Sequence, residues 1–319
     1  MSDRTERVNK VIEINLDIAD KLIKLYKADY CVEKIERFAG GKSTSNYKVK
    51  IKDLDLELVL RVYPQKSAIC EKEHTLSQKL KKVVPIPEMY YLNTDKMIID
   101  KSYSIIEYLD GITLDEYIER NNKFPESLAR EIGEKLALLH HTEYHKEGLL
   151  DNNLNLTDEL PPILLWYKHF LNGIAGSRLE ESTKSKLIKF IENNNDLLIR
   201  MTKKFVLCHG DFRPANLLVK DNKLVGILDW EFSLSAPCYF DIGQFTRVEE
   251  YMLYGVQNSF IEGYNSNAKY PLTDDWRKLS KLMDLANLLS FLNAKDEKPN
   301  LYQNMKALID KSLEFLIEN

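Results

Sequence analysis

The residues best suited to chemistry lie between positions 208 and 231 of this chain. Cys208-His209-Gly210-Asp211-Phe212-Arg213-Pro214-Ala215-Asn216 runs into the apolar Leu217-Leu218-Val219. A second acidic stretch, Ile227-Leu228-Asp229-Trp230-Glu231, follows another short apolar segment. Asn216 comes five residues after Asp211. A carboxylate on a loop can accept a hydroxyl proton and orient that oxygen as a nucleophile. An amide oxygen at the far end of the loop, and a second carboxylate on the next hairpin, are the hard donors that Mg²⁺ prefers. Mg²⁺ keeps several waters, so one Asp, one Asn and nucleotide phosphates are enough to hold it. The set suits phosphoryl transfer, which needs positioning and charge rather than covalent chemistry from the protein. His209, Asp211 and Asn216 taken singly are ordinary turn residues. Their joint spacing, followed by Leu-Asp-Trp-Glu, sets them apart.

Competing chemistries are weaker. The four cysteines, Cys31, Cys70, Cys208 and Cys238, form no CxxC pair, which argues against a zinc knuckle or a redox motif. Cys208 stands beside His209, but it ends the apolar run Phe205-Val206-Leu207 and reads as a buried, reduced thiol. Gly41-Lys42-Ser43 imitates the end of a Walker A loop. Glu36 stands where that motif needs its first glycine, and a strand pattern follows where it needs a helix.

The elements that must carry these residues change character along the chain. Residues 8–28 have apolar positions at helical spacing. Residues 32–38, 47–51 and 56–63 read as strands, with a hairpin turn at Lys52-Asp53-Leu54-Asp55. A helix is expected over 67–82, and further strands over 88–92 and 103–108. Beyond Gly111 the pattern is mostly helical: 114–120, 125–141, 163–171, 179–200, 238–264, 276–292 and 301–317. Short strands over 205–208, 217–219 and 224–228 interrupt it. A β-rich front and a helix-rich back predict an α+β, two-lobed chain. Residues 1–108 are the expected front lobe and 109–319 the expected back lobe, with a hinge near 107–111.

The segment from His209 to Glu231 resembles the signature of the aminoglycoside phosphotransferase and choline kinase superfamily, HGDxxxxN followed by a hydrophobic strand and DxE or DW. That resemblance implies a protein-kinase-like fold. By position it implies Asp211 as catalytic base and Asn216 and Asp229 as Mg²⁺ ligands, with His209 supporting the loop. Asp241, in Tyr239-Phe240-Asp241-Ile242-Gly243, matches the family's later Asp, which braces the catalytic loop. The helix pattern ending at Leu139-His140 is similar to the family's helix beneath that loop, where His140 and His141 would pack or cap.

The front lobe is where a nucleotide is expected. Gly41, Ser43 and Asn46 fall in a small polar turn whose backbone N–H groups can approach phosphates. The family places a Lys on the third strand. Here that position is Arg61, and strand alternation puts it on the face of Val59. Arg stays charged and binds phosphate or carboxylate bidentately. Glu73 is its expected helix partner, because Glu73, Leu76 and Leu80 share a face, with Glu71 as the alternative. Glu107 and Leu109, in Ile106-Glu107-Tyr108-Leu109, match the family's hinge, where backbone groups read adenine.

Composition agrees with a soluble globular chain: 319 residues, 44% apolar and 29% charged, with a formal net charge of −4. No basic stripe suggests nucleic acid, and no apolar run is long enough for a membrane span. The N-terminus lacks a secretory signal pattern, so the cytoplasm is expected. The reading is a kinase that moves the γ-phosphoryl group of ATP or GTP, with Mg²⁺, to a hydroxyl of a small molecule. By resemblance the acceptor is an aminoglycoside- or macrolide-type antibiotic or a small metabolite. The alternative is a pseudokinase that binds nucleotide or a partner without turnover.

Overall fold

A computed structural model describes residues 9–38, 43–64, 68–295 and 298–319. The chain gathers into two compact units. The first takes the described residues up to Asn121 together with Asp151–Asn155 and Ala215–Glu231. The second takes Asn122–Leu150, Leu156–Pro214 and Phe232–Asn319.

The first unit opens with helix α1 (Leu16–Tyr26), shorter than the helix expected over 8–28. Asn15 sets its start by accepting a hydrogen bond from the Ile18 N–H at 2.9 Å. The residues before it run beside the sheet instead: Ile12 donates to Ser45 Oγ, and the Tyr47 hydroxyl donates to the Ile12 carbonyl at 2.6 Å. Then come β1 (Val32–Arg37), β2 (Ser45–Ile51), β3 (Glu57–Val62), helix α2 (Ala68–Leu80), β4 (Met89–Asn93) and β5 (Tyr103–Glu107). The sheet is antiparallel throughout, in the order β1-β2-β3-β5-β4. Alternation divides the third strand. Leu58, Leu60 and Val62 join Leu22 and Ile23 of α1 in the core, which leaves Val59 and Arg61 on the opposite face. Each fully buried Leu or Ile there is worth about 1.5–3 kcal/mol.

A second, three-stranded sheet belongs to the same unit. Leu217–Lys220 pairs with Lys223–Ile227 on one side and Ile112–Thr113 on the other. The Ile227 N–H donates to the Pro85 carbonyl at 2.7 Å, which fastens this hairpin to the segment between α2 and β4.

The second unit is mostly helical. Glu126–Leu139 packs on Tyr254–Asn267 so closely that a Cβ on Gly133 would come within 2.1 Å of the Phe260 carbonyl oxygen. The helix Trp276–Leu292 runs through the centre of a large apolar core with Tyr167, Leu187 and Tyr302. Two expectations are corrected here. The helix expected over 179–200 is divided at Asn194 into Glu181–Asn193 and Asn195–Met201. The helix expected over 238–264 is divided into Tyr239–Phe245 and Tyr254–Asn267. The unit also holds a five-stranded antiparallel sheet built from Glu143–Tyr144, Phe205–Cys208, Leu234–Ala236, Gly148–Leu150 and Leu156–Glu159. All but the Phe205–Cys208 strand were absent from the sequence pattern.

Candidate active site

In the first unit the arrangement starts at Arg61. It leaves β3 on the face away from α1 and is only 7% exposed. Nη2 lies 2.8 Å from Glu73 Oε1, and Nη1 lies 2.9 Å from Asp229 Oδ1. Of the two helix glutamates, then, Glu73 meets the strand arginine. Glu71 instead accepts from Asn152 Nδ2 at 2.7 Å. Glu73 is held from behind as well, because the Tyr63 hydroxyl donates to its Oε2 at 2.7 Å and lies 3.1 Å from Ser104 Oγ. Burial alone would make the guanidinium easier to deprotonate. The carboxylates of Glu73 and Asp229 outweigh it and hold its pKa well above the ordinary value.

Asp229 reaches Arg61 because of its backbone. Its φ of 60° lies in the left-handed region, which Asp tolerates better than most residues. Trp230 secures the turn by burying its indole and donating Nε1–H to the Ile227 carbonyl at 2.8 Å. The Leu228 N–H donates to the Asn216 carbonyl at 2.8 Å. That bond ties the strand end bearing Asn216 to the one bearing Asp229. One amide and one carboxylate, both oxygen donors, fit a Mg²⁺ ion that draws its remaining ligands from water and phosphate.

The other nucleotide-side candidates take separate places. Asn46 is the cross-strand partner of Arg61, and Val59 stands between Lys48 and Ile106 in the sheet register. The Ser43 main-chain carbonyl accepts from Asn9 Nδ2 at 3.2 Å, and the Glu231 carboxyl is pushed up by burial and pulled back by Arg61. The Lys72 ammonium donates to the Glu231 main-chain carbonyl at 2.9 Å. Glu107 ends β5 with its carboxylate taken by the Glu88 N–H at 3.1 Å. Leu109 packs beside Gly226, where a Cβ would lie 2.8 Å from its Cδ1. Gly41 lies outside the described residues.

In the second unit the loop bearing Asp211 is held from several sides. Asp241 Oδ2 accepts the His209 N–H at 2.7 Å, and Oδ1 accepts the Gly210 N–H at 3.0 Å. His140 Nε2 lies 3.2 Å from the same carboxylate, and its Nδ1 lies 2.9 Å from the Tyr264 hydroxyl. Gln244 Nε2 donates to the Gly210 carbonyl at 3.0 Å. Gly210 has a φ of 87°, and a Cβ there would fall 2.1 Å from the Phe232 carbonyl oxygen, so no other residue fits. His209 Nδ1 accepts the Asp211 N–H at 3.1 Å. Phe212 is fully buried, its ring 5.7 Å from that of Phe245.

Asp211 also has a partner that the sequence reading left out. Arg213 grips it bidentately, Nε to Oδ1 at 2.5 Å and Nη2 to Oδ2 at 2.8 Å. An arginine two residues beyond a loop aspartate was the available signal. His140, Cys208 and Asp241 bring ligand-type atoms within 4.8 Å of one another. This trio is a poor metal site. Asp241 already accepts two main-chain N–H groups, and burial pushes the Cys208 thiol far above its usual pKa.

A buried carboxyl lies in the same unit. Glu147 is 6% exposed, and its Oε1 has no hydrogen-bond partner among the described residues. Burial pushes its pKa up to about 7. A carboxyl whose folded pKa exceeds its unfolded value favours folding least when ionised. The cost of charging it therefore grows as pH rises from about 4.5 to about 7 and then stays constant, at about 3 kcal/mol. Glu147→Gln cannot ionise, so its unfolding free energy relative to wild type should rise by that amount between about pH 5 and about pH 8. Urea titrations at both pH values check this, and a pH-independent difference would contradict it.

Comparison with known proteins follows the same lines. In solved structures the fold matches that of aminoglycoside phosphotransferase APH(4)-Ia in complex with ADP and hygromycin B. The TM-score is 0.64 at 13% identity, covering 94% of this chain and 97% of that one. It also matches macrolide 2'-phosphotransferase MphH from Brachybacterium faecium, at TM-score 0.65 and 14% identity over 91% and 98% of the two chains. These likenesses establish a protein-kinase-like, α+β fold.

Among curated proteins, Protein LicA of Haemophilus influenzae is 27% identical over 182 residues, 53% of this chain and 49% of its own length. Ethanolamine kinase of Saccharomyces cerevisiae is 29% identical over 141 residues, 41% and 25%. Probable acyl-CoA dehydrogenase IBR3 of Arabidopsis thaliana is 24% identical over 219 residues, 63% and 26%. The chain thus spans between a quarter and about half the length of these relatives. Among the described residues no helix is long and apolar enough to cross a membrane. The phosphotransferase enzyme family model matches residues 34–282, so the chain belongs to that family.

Proposed function

We propose that the protein transfers the γ-phosphoryl group of ATP or GTP, with Mg²⁺, to an alcohol oxygen of a small hydroxylated molecule. The observation that carries this reading is the Arg61, Glu73 and Asp229 series within the first unit, which presents an anionic metal ligand already oriented by a buried cation. Asn216 and Asp229 would hold Mg²⁺, which offsets charge on the phosphates when bound. Ser43, Asn46 and Val59 line the nucleotide side in this reading, with Glu107 and Leu109 at the base. Asp211 would accept the proton of the acceptor hydroxyl and orient its oxygen. Asp241 fixes the backbone from which Asp211 projects. The cytoplasm is the proposed compartment.

Amino alcohols come first among acceptors, because a curated relative is an ethanolamine kinase. Aminoglycosides and macrolides come next, because the structural neighbours act on those antibiotics. The test is nucleoside diphosphate release from Mg-ATP and Mg-GTP with ethanolamine, choline, hygromycin B and a macrolide as acceptors. Release that depends on one acceptor class is expected. A second reading, nucleotide binding without transfer, is favoured by the two arginines that neutralise Asp211 and Asp229. Tight nucleotide binding without turnover on any hydroxyl acceptor would select it.

A further inference from the structure

Arg61 and Ser104 stand directly opposite each other across β3 and β5. Tyr63 follows Arg61 by two residues, so strand alternation brings all three side chains to one face of the sheet. Helix α2 lays Glu73 against that face, and both oxygens of its carboxylate are taken. Arg61 Nη2 holds Oε1, and the Tyr63 hydroxyl holds Oε2. A phenol has one proton to give. Tyr63 spends it on Glu73, so in the 3.1 Å contact behind it the Ser104 hydroxyl must donate and the Tyr63 oxygen accept. Burial and the facing Glu73 carboxylate push the Tyr63 pKa well above its usual value, which keeps that proton on the phenol.

The bonds therefore run in one direction, from Ser104 through Tyr63 to Glu73, where they meet Arg61, which goes on to Asp229. Ser104 is fully buried and Tyr63 is 2% exposed, so bulk water has no access to replace a lost partner. A buried carboxylate oxygen stripped of its donor is costly and drives the group out of place. Arg61 would then lose one of the two anchors that fix the plane of its guanidinium. That plane decides where the Arg61 Nε–H points, and this donor has no partner among the described residues.

We propose that Tyr63 is a positioning residue for the phosphate side of the site, acting through Glu73 on the orientation of Arg61 and Asp229. This rests on the kinase reading above. The experiment is a double-mutant cycle of Tyr63→Phe and Glu73→Ala, read as affinity for Mg-ATP and for adenosine by calorimetric titration. Tyr63→Phe alone should weaken Mg-ATP about tenfold, the value of one hydrogen bond to a charged group, and leave adenosine affinity at the wild-type value. In the Glu73→Ala background the same change should cost less than about twofold, because the group it acts through is gone. Ser104→Ala, one bond further back, should show the same dependence on Glu73 with a smaller loss, and it carries the test if Tyr63→Phe does not fold.

Unchanged Mg-ATP affinity in Tyr63→Phe would overturn the assignment. So would an equal loss in both backgrounds, or equal losses for ATP and adenosine, since a tyrosine that only packs gives either result. Those outcomes leave the kinase reading standing. Wild-type protein that binds neither nucleotide nor nucleoside would instead remove that reading, and this assignment with it.

Discussion

Asp211→Asn is expected to leave Mg-nucleotide affinity near wild type and to slow phosphoryl transfer by about 10²–10⁴-fold, the usual contribution of a positioned general base. The substitution keeps the size of the side chain and most of its hydrogen bonding. The loop itself should survive, because it is anchored by groups other than the Asp211 carboxylate. Asp241 holds the His209 and Gly210 N–H groups, and Phe212 is buried behind them. The change removes the proposed base and an anionic partner of Arg213. Single-turnover transfer to an identified acceptor, beside nucleotide titration, separates chemistry from binding. Full turnover by this variant would show that the assigned mechanism is wrong.

Asp229→Asn should fail differently. Asn also tolerates the left-handed conformation at φ 60°, so the turn is expected to hold. What is lost is one anionic oxygen from the proposed Mg²⁺ site, which has few protein ligands. The charge facing Arg61 Nη1 is lost too, which leaves the guanidinium with Glu73 as its carboxylate partner. Nucleotide affinity in the presence of Mg²⁺ should fall by about tenfold or more, while Mg-free affinity changes little, and turnover should fall with the metal-dependent part. Titration with and without Mg²⁺ measures the difference. If Asp211→Asn and Asp229→Asn both bind and turn over normally, the motif has been misassigned.

What the sequence could show depended on how local the information was. The front strands and α2 lie within a few residues of where alternation and helical spacing put them, because each carries its own apolar pattern over five residues or more. The back-unit strands Glu143–Tyr144, Gly148–Leu150 and Leu234–Ala236 have two or three residues each. A period cannot be recognised over so few positions, and their pairing is set by partners far along the chain. Asn194 ends one helix and starts the next within an unbroken apolar pattern, so the break was hidden.

The same divide runs through the candidate site. Asp211, Asn216 and Asp229 stand out because their spacing is local. The Arg61 bond to Asp229 crosses 168 positions, and nothing in either segment alone announces it. Strand alternation could place Arg61 on a face with Val59. It could not say that two carboxylates would already be waiting there.

That long return has a consequence for how the protein is made. The first unit is continuous to Asn121 and is then completed by Ala215–Glu231. A chain emerging from the ribosome must therefore extend roughly 110 residues past Asn121 before this unit can close, about 5–20 s at ordinary elongation rates. In that interval β3 has no Asp229 to meet Arg61, and Glu73 is the carboxylate available to it. The second unit is still incomplete at Glu231, since its core needs the helix Trp276–Leu292. Vectorial synthesis should thus close the first unit before the second, and only after most of the chain has been translated.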